Sequence, residues 1–299
     1  MRRWIPGSVF KRVAEGEAMN AGLRRNSRAL RRSSLWIGLS LVAMVASSAL
    51  LAPWIAPMDP TEQQLDRRLE GPSIEHPLGM DELGRDVFSR LLFGGRVSMM
   101  VGLAVVLLAG TAGTVVGSFA GYWGGRVDQL LMRVSDVFLA FPGILLAIAL
   151  VAVLGPALRH VILALVVIGW VGYARLVRGQ VLQIREQDFV VAARSMGVPS
   201  LWILFRHVLP NVLPTLTVQA SLGMAGAILA EAGLSFLGLG IQPPTPSWGA
   251  MIDAGRSHLL DAPHLALAPG AAILLTVMGL NFLGDALVDA LNPRLRDRL

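Results

Sequence analysis

The chain has 299 residues, 54% of them hydrophobic and only 15% charged, with a mean hydropathy of +0.60. Soluble domains carry about 25% charged residues, and the charges here fall between long apolar runs, so a soluble globular chain is excluded and a polytopic membrane protein is expected. There is no cysteine, which rules out disulfides and thiolate metal sites, and the net charge of +6 comes from arginine, Lys11 being the only lysine.

That lysine lies between Phe10 and Arg12. A phosphate-cradling loop needs Gly-Lys followed by Ser or Thr, so any ATP used must be hydrolysed by another chain. No cofactor and no metal site is expected in this one. The arginines flank apolar spans and form no aromatic-studded groove, so nucleic acid is not expected as a partner.

About 20 apolar residues carry a helix across a hydrocarbon core of about 30 Å. Six segments qualify: approximately 35–56, 97–121, 129–155, 160–180, 212–239 and 266–290. The fold class is therefore all-α with six transmembrane helices, since within lipid each segment must satisfy its own backbone. The first span follows a basic leader, residues 1–34, in which Arg2, Arg3, Lys11, Arg12, Arg24, Arg25, Arg28, Arg31 and Arg32 face only Glu15 and Glu17. A signal peptide has an apolar region of about 7–15 residues; the run 35–56 is longer and is read as a retained helix. The tail after Leu291 is also basic, whereas 57–96 carries more acids than arginines. The positive-inside rule then places both termini and the loop 181–211 in the cytoplasm, with 57–96 and 240–265 outside.

Within 57–96, the stretch from Gly84 to Val97 suits a helix in the outer interface with its arginines towards water; its role is read as a scaffold that seats the second span, with contact to a solute-binding protein as a secondary role. Gly113, Gly117, Gly121 and Gly125 recur every four residues along the second span, a spacing that lets membrane helices approach closely. The five-helix core is expected over 97–290. In it, Arg133 and Asp136 are three apart and read as an intrahelical pair, while Arg175 and Arg178 can snorkel from the fourth span. Ionisable groups in spans are often functional. Glu231, deep in the fifth span, either lines a polar path or holds a packing hydrogen bond. Asn281 and Asp285 share a face of the sixth. Glu231, Asp136 and Asn281 are the candidates for a translocation path. Pro142, Pro214 and Pro269 mark expected kinks. His258 and His264 on an outer loop lack the spacing of a zinc site and read as structural.

The inner loop, VLQIREQDFVVAARSMGVPSLWILFRHVLPN from Val181 to Asn211, carries the most information. Gln187 to Met196 reads as one short helix, Gly197 as a turn, and Pro199 as the start of a second helix with an apolar side of Leu201, Ile203, Leu204, Phe205 and Val208, ended by Pro210. Apolar residues held outside the bilayer need a cover. From the residues alone, lipid headgroups and a soluble partner serve equally well.

AARSMG with HVLP downstream resembles the loop by which permeases of ATP-binding-cassette importers dock their ATPases. Ala192, Ala193 and Gly197 fall on its alanine and glycine positions; Val191 stands where the motif has an acid. The resemblance implies a coupling loop of Ala192, Ala193, Arg194, Gly197, Pro199, Leu201, Phe205, His207 and Pro210. HPLGMDELGRDVFSRLLFGGRVSM (His76–Met99), EAGLSFLGLGIQPPTPSWGAMI (Glu231–Ile252) and NFLGDALVDALNPRLR (Asn281–Arg296) are similar to the C-type permease of dipeptide and oligopeptide importers, a family that also contains nickel-chelate, opine and glutathione importers. It implies the type I importer permease fold, a bacterial-type inner membrane, a second permease, two cytoplasmic ATPases using ATP and magnesium, an extracytoplasmic solute-binding protein, and no catalytic residue here. The rivals are an ion-coupled secondary transporter, which needs a midplane relay and related halves, and a membrane enzyme, which needs a catalytic constellation. Neither set of features is visible.

Overall fold

The computed structural model describes residues 34–291. The basic leader and charged tail, on which the expected orientation of the termini rests, lie outside the described residues. The elements, in order, are α1 (Ser34–Leu50), α2 (Ala52–Ile55), a 3-10 turn (Leu65–Arg67), α3 (Val87–Trp123), α4 (Gly125–Leu139), α5 (Gly143–Leu154), α6 (Leu158–Ile184), α7 (Asp188–Ser195), α8 (Ser200–Ile203), a π turn (Leu204–Val208), α9 (Leu209–Phe236), α10 (Trp248–Gly255), a 3-10 turn (Arg256–His258) and α11 (His264–Leu291). Among the described residues there is no strand, only an isolated bridge between Met80 and Asp86.

Four helical runs are long and apolar enough to cross a membrane: α3, α6, the continuous run Ser200–Phe236, and α11. A fifth span arises if α4 and α5 count as one, though they meet at an angle of 81°. α1 is apolar but shorter, and the expected six spans include it. At 1.5 Å per residue, α1 with α2 covers roughly 30 Å.

Two expectations change here. The stretch from Gly84 to Val97 is no separate interfacial helix: from Val87 it forms the first turns of α3, capped by Asp86, whose Oδ2 accepts from the Ser89 amide at 2.7 Å. Its arginines do not point to water. Arg85 and Arg90 are buried because Asp81 receives both, at 2.7 and 3.4 Å, and Arg90 also donates to the Pro60 carbonyl at 3.0 Å. Only Arg96 is exposed.

α3 and α6 run parallel in close contact. A Cβ on Gly113 would lie 2.5 Å from the Trp170 carbonyl oxygen, one on Gly117 2.3 Å from that of Ala174, and one on Gly121 2.9 Å from that of Arg178. Gly125 leaves this face and meets open space. Small residues thus let backbone touch backbone, as membrane helices require in the absence of a hydrophobic drive. α9 lies antiparallel to α3, with Gly102 against Ile228, and α11 antiparallel to α9, where Ser221 Oγ donates to the Leu280 carbonyl at 2.8 Å. α1 docks on α11 through Gly38 and Gly279.

The core forms three clusters. One centres on Val87, Ile228, Trp248, Met251 and Leu265, a second on Val101, Val151, Val161 and Leu234, and a third on Val177, Val181, Ile184, Val190, Ile203 and Val208.

Candidate functional site

The third cluster carries the loop that the sequence singles out. α6 ends at Ile184, and Arg185 reaches back so that Nη1 donates to the Gly121 carbonyl at 2.8 Å, tying the loop to the end of α3. α7 follows. Its Val190 and Ala193 are buried against Ile203, Leu204 and Val208. Gly197, at φ +79°, turns the chain, and Pro199 leads into α8. The expected two-helix knob is present, but its second half does not end at Pro210. Pro210 sits in the first turn of α9, and the helical run continues through it into the span. The π turn Leu204–Val208 marks the junction.

The apolar side divides in two. Ile203, Leu204 and Val208 point inward, whereas Leu201 and Phe205 are exposed together with Phe189, Val191, Met196 and Trp202. Ala192, Arg194 and Pro199 are also exposed, and Ala193 is a packing residue. His207 is half-buried; its ring meets Trp202 edge-on with centroids 5.2 Å apart and lies 6.3 Å from Phe189. A cleft of about 330 Å³ opens beside the knob between Tyr122, Trp123, Arg185, Glu186, Arg194 and Ser200. Such a surface, apolar with a basic flank and anchored on three long helices, has the form of a docking face rather than a reaction centre.

The path candidates are not brought together. Glu231 is fully buried: its Oε1 accepts from Ser235 Oγ at 2.7 Å and its Oε2 from Ser98 Oγ at 3.0 Å, with Ser247 as a third hydrogen-bonding side chain. It joins α9, α3 and the cap of α10 and has no surface on an open path. Asp136 is exposed and pairs with Arg175 across α4 and α6, not with Arg133 as the three-residue spacing suggested. Arg178 pairs with Asp128, its Nη2 lying 2.6 Å from Oδ2. The reason is geometric: α4 turns Asp128 and Asp136 towards α6, which supplies two arginines, and a carboxylate in an apolar setting takes the fork that reaches it. Asn281 and Asp285 are exposed on α11.

Sequence reasoning missed the outer cluster. His76 Nδ1 lies 3.0 Å from Asp86 Oδ1, and Arg67 lies 3.0 Å from His76 Nε2 while holding Glu70 at 2.6 Å. The Arg67 hydrogen bond, aided by its charge, keeps the Glu70 carboxyl below its usual range. The charged string from His76 to Arg90 was the available signal. His258 lies 3.4 Å from Glu82, and His264 Nε2 is buried without a partner. Among the described residues no group of three or more His, Asp or Glu is placed to hold a metal.

Residues 113–297 match the family described as the binding-protein-dependent transport system inner membrane component. A dipeptide transport system permease protein of Alkalihalophilus pseudofirmus is 42% identical over 91% of this chain and 90% of its own length. A glutathione transport system permease protein of Pectobacterium atrosepticum is 45% identical over 99% of this chain and 100% of its own. Among solved structures, the MetNI methionine ABC transporter in inward-facing conformations matches with a TM-score of 0.50 at 20% identity, covering 65% of this chain and 94% of that one, a likeness of fold. With its long apolar helices, the chain belongs to the binding-protein-dependent transport system inner membrane component family, the multi-pass permeases of ATP-binding-cassette importers.

Proposed function

We propose that this permease forms, with a second permease, the path by which di- and oligopeptides, glutathione among them, enter the cytoplasm, and that separate ATPases drive it. The observation that carries the reading is the knob around Gly197, which presents Leu201, Trp202, Phe205 and Met196 outward from a packed base. Two cytoplasmic ATPases cover these residues, bind ATP and magnesium, and push on the knob as they close. The base passes that push to α3, α6 and α9, which switch between inward- and outward-open arrangements. A solute-binding protein delivers cargo to the outer face formed by 57–86 and 237–263. Both termini lie in the cytoplasm. Peptide cargo is supported by the dipeptide and glutathione permeases at 42% and 45% identity. Glu231, fully enclosed by serines, does not favour an ion-coupled relay.

Reconstitution with the neighbouring permease, ATPases and binding protein in liposomes tests this. ATP-dependent uptake of labelled dipeptide or glutathione that needs every component is expected. Uptake of a nickel chelate alone would keep the machine and change the cargo. Uptake that persists without the ATPases would overturn the reading.

A further inference from the structure

A large cavity lies on the outer half of the molecule, away from the knob. It is an apolar groove of about 580 Å³, open to the side, between α1 (Ala46, Leu50), α3 (Val97, Met100, Leu103) and Met224 of α9. Its volume falls within the roughly 300–1,000 Å³ typical of small-molecule sites. Methionine makes its walls adaptable, Met99 lining it beside Met100 and Met224.

One charge stands on its wall. Arg96 is exposed and, among the described residues, has no carboxylate partner; its guanidinium lies 5.8 Å from the centre of the Phe93 ring. Two other arginines of this outer region, Arg85 and Arg90, are consumed by Asp81. The groove itself is lined by no acid.

Depth can be read from two rulers. Trp36 on α1 and Trp54 on α2 are both exposed and stand roughly 27 Å apart at 1.5 Å per residue, close to a hydrocarbon thickness. Gly95 packs beside Ala49, about one to two turns inside Trp54. Independently, α3 is 37 residues long, or roughly 55 Å. A hydrocarbon core of about 30 Å measured back from Trp123 ends near Leu103. The first ruler sets Arg96 roughly 7 Å inside the level of Trp54 and the second roughly 10 Å beyond the end of the core at Leu103, so the boundary between acyl chains and headgroups falls between these limits, along the stretch from Arg96 to Leu103 that walls the groove.

We propose that this groove is a binding site for a membrane phospholipid of the outer leaflet, one acyl chain lying between α1 and α3 and the phosphodiester seated on Arg96. A guanidinium matches a phosphate in charge and shape, and the position of this one matches the headgroup level. A protein helix in the same groove would need to bring a carboxylate to a depth where a phosphate is already present. Occupancy adds to the contact that Gly95 and Ala49 already make between α3 and α1.

The chain has no cysteine, so Met100→Cys and Leu103→Cys each give a single labelling site on this chain, which is labelled before it is assembled with its partners. A bimane probe at either site is titrated in nanodiscs of phosphatidylcholine with phosphatidylglycerol spin-labelled on one acyl chain. Leu267→Cys, exposed on α11, reports lipid contact elsewhere. Saturable quenching is expected at 100 and 103, with linear quenching at 267. Arg96→Gln should weaken the saturable phase by between about threefold and tenfold, and Arg96→Lys should restore most of it. Linear quenching at all three sites, or no response to Arg96→Gln, would overturn the proposal and leave only surrounding lipid. So would probes at 100 and 103 shielded from lipid and crosslinking to the second permease, which would make the groove a protein interface.

Discussion

Gly197 is where a single residue decides the shape of the docking face. Its φ of +79° is a conformation that side chains resist, yet a Cβ there would meet nothing within 4 Å. Backbone conformation alone is therefore at stake. Asn tolerates left-handed backbone, and a β-branched residue does not. Gly197→Asn should keep most ATP-dependent uptake, whereas Gly197→Val, costing about 1–2 kcal/mol in this turn, should uncouple ATP hydrolysis from uptake while membrane insertion stays normal. Equal uptake by the two variants would show that the turn is not what matters. Glu231 gives the complementary case, a buried carboxyl group that accepts from serine hydroxyls. Glu231→Ala leaves Ser98 and Ser235 without their acceptor and should lower stability by about 1–3 kcal/mol. Glu231→Gln, which still accepts hydrogen bonds, should lose less. Thermal unfolding in detergent measures both, and a neutral Glu231→Ala would remove the pin from the account of how α10 is held.

At the scale of elements, hydropathy located the membrane-embedded parts well, because lipid selects for apolar side chains along the whole length of a helix. The runs 97–121, 160–180 and 266–290 fall inside α3, α6 and α11. It did not find where helices continue beyond lipid. Val87 to Arg96 extends α3 in a polar sequence because Asp86 caps it and Asp81 neutralises its arginine, both tertiary facts. Nor could spacing reveal that Asp136 prefers Arg175, 39 residues away, to Arg133. The bend of 81° between α4 and α5 follows Pro142, where an expected kink became a break. The turn at Gly197 was legible, since few residues other than glycine suit it. The inward or outward sense of each apolar residue around it was not, since that depends on where α6 lies. The glycines of α3 make the strongest element-level test. Gly117→Leu would drive a side chain into the Ala174 carbonyl and separate α3 from α6, costing about 1–3 kcal/mol or more. Gly179→Ala, with nothing within 4 Å in the interior of α6, should be neutral or stabilise by about 0.5–1 kcal/mol. Size-exclusion profiles and melting temperatures distinguish them, and a stable Gly117→Leu would refute the close parallel contact.

For the whole molecule, the question is how a push on an exposed knob reaches the spans. The base of the knob shares one packed layer with Tyr122 of α3, Val177 and Val181 of α6, and Val212 of α9. Interiors at such density shift as blocks rather than deform, and the π turn at Leu204–Val208 gives the block a hinge against α9. Outer and inner residues of the knob should then separate experimentally. Leu201 and Phe205 are 52% and 63% exposed and contribute little to the fold. Leu201→Ser combined with Phe205→Ser should leave melting nearly unchanged, within about 0.5 kcal/mol per site, yet release the ATPases from an affinity-tagged permease and abolish uptake. Ile203→Ser, fully buried, should instead destabilise by about 2–5 kcal/mol, losing ATPase binding only together with the fold. If the double exposed-site variant retained its ATPases at the wild-type level, the partner would have to dock elsewhere. The basic cleft beside Arg185 and Arg194 would then be the surface to vary next, because it is the other opening that this packed layer presents on the same side.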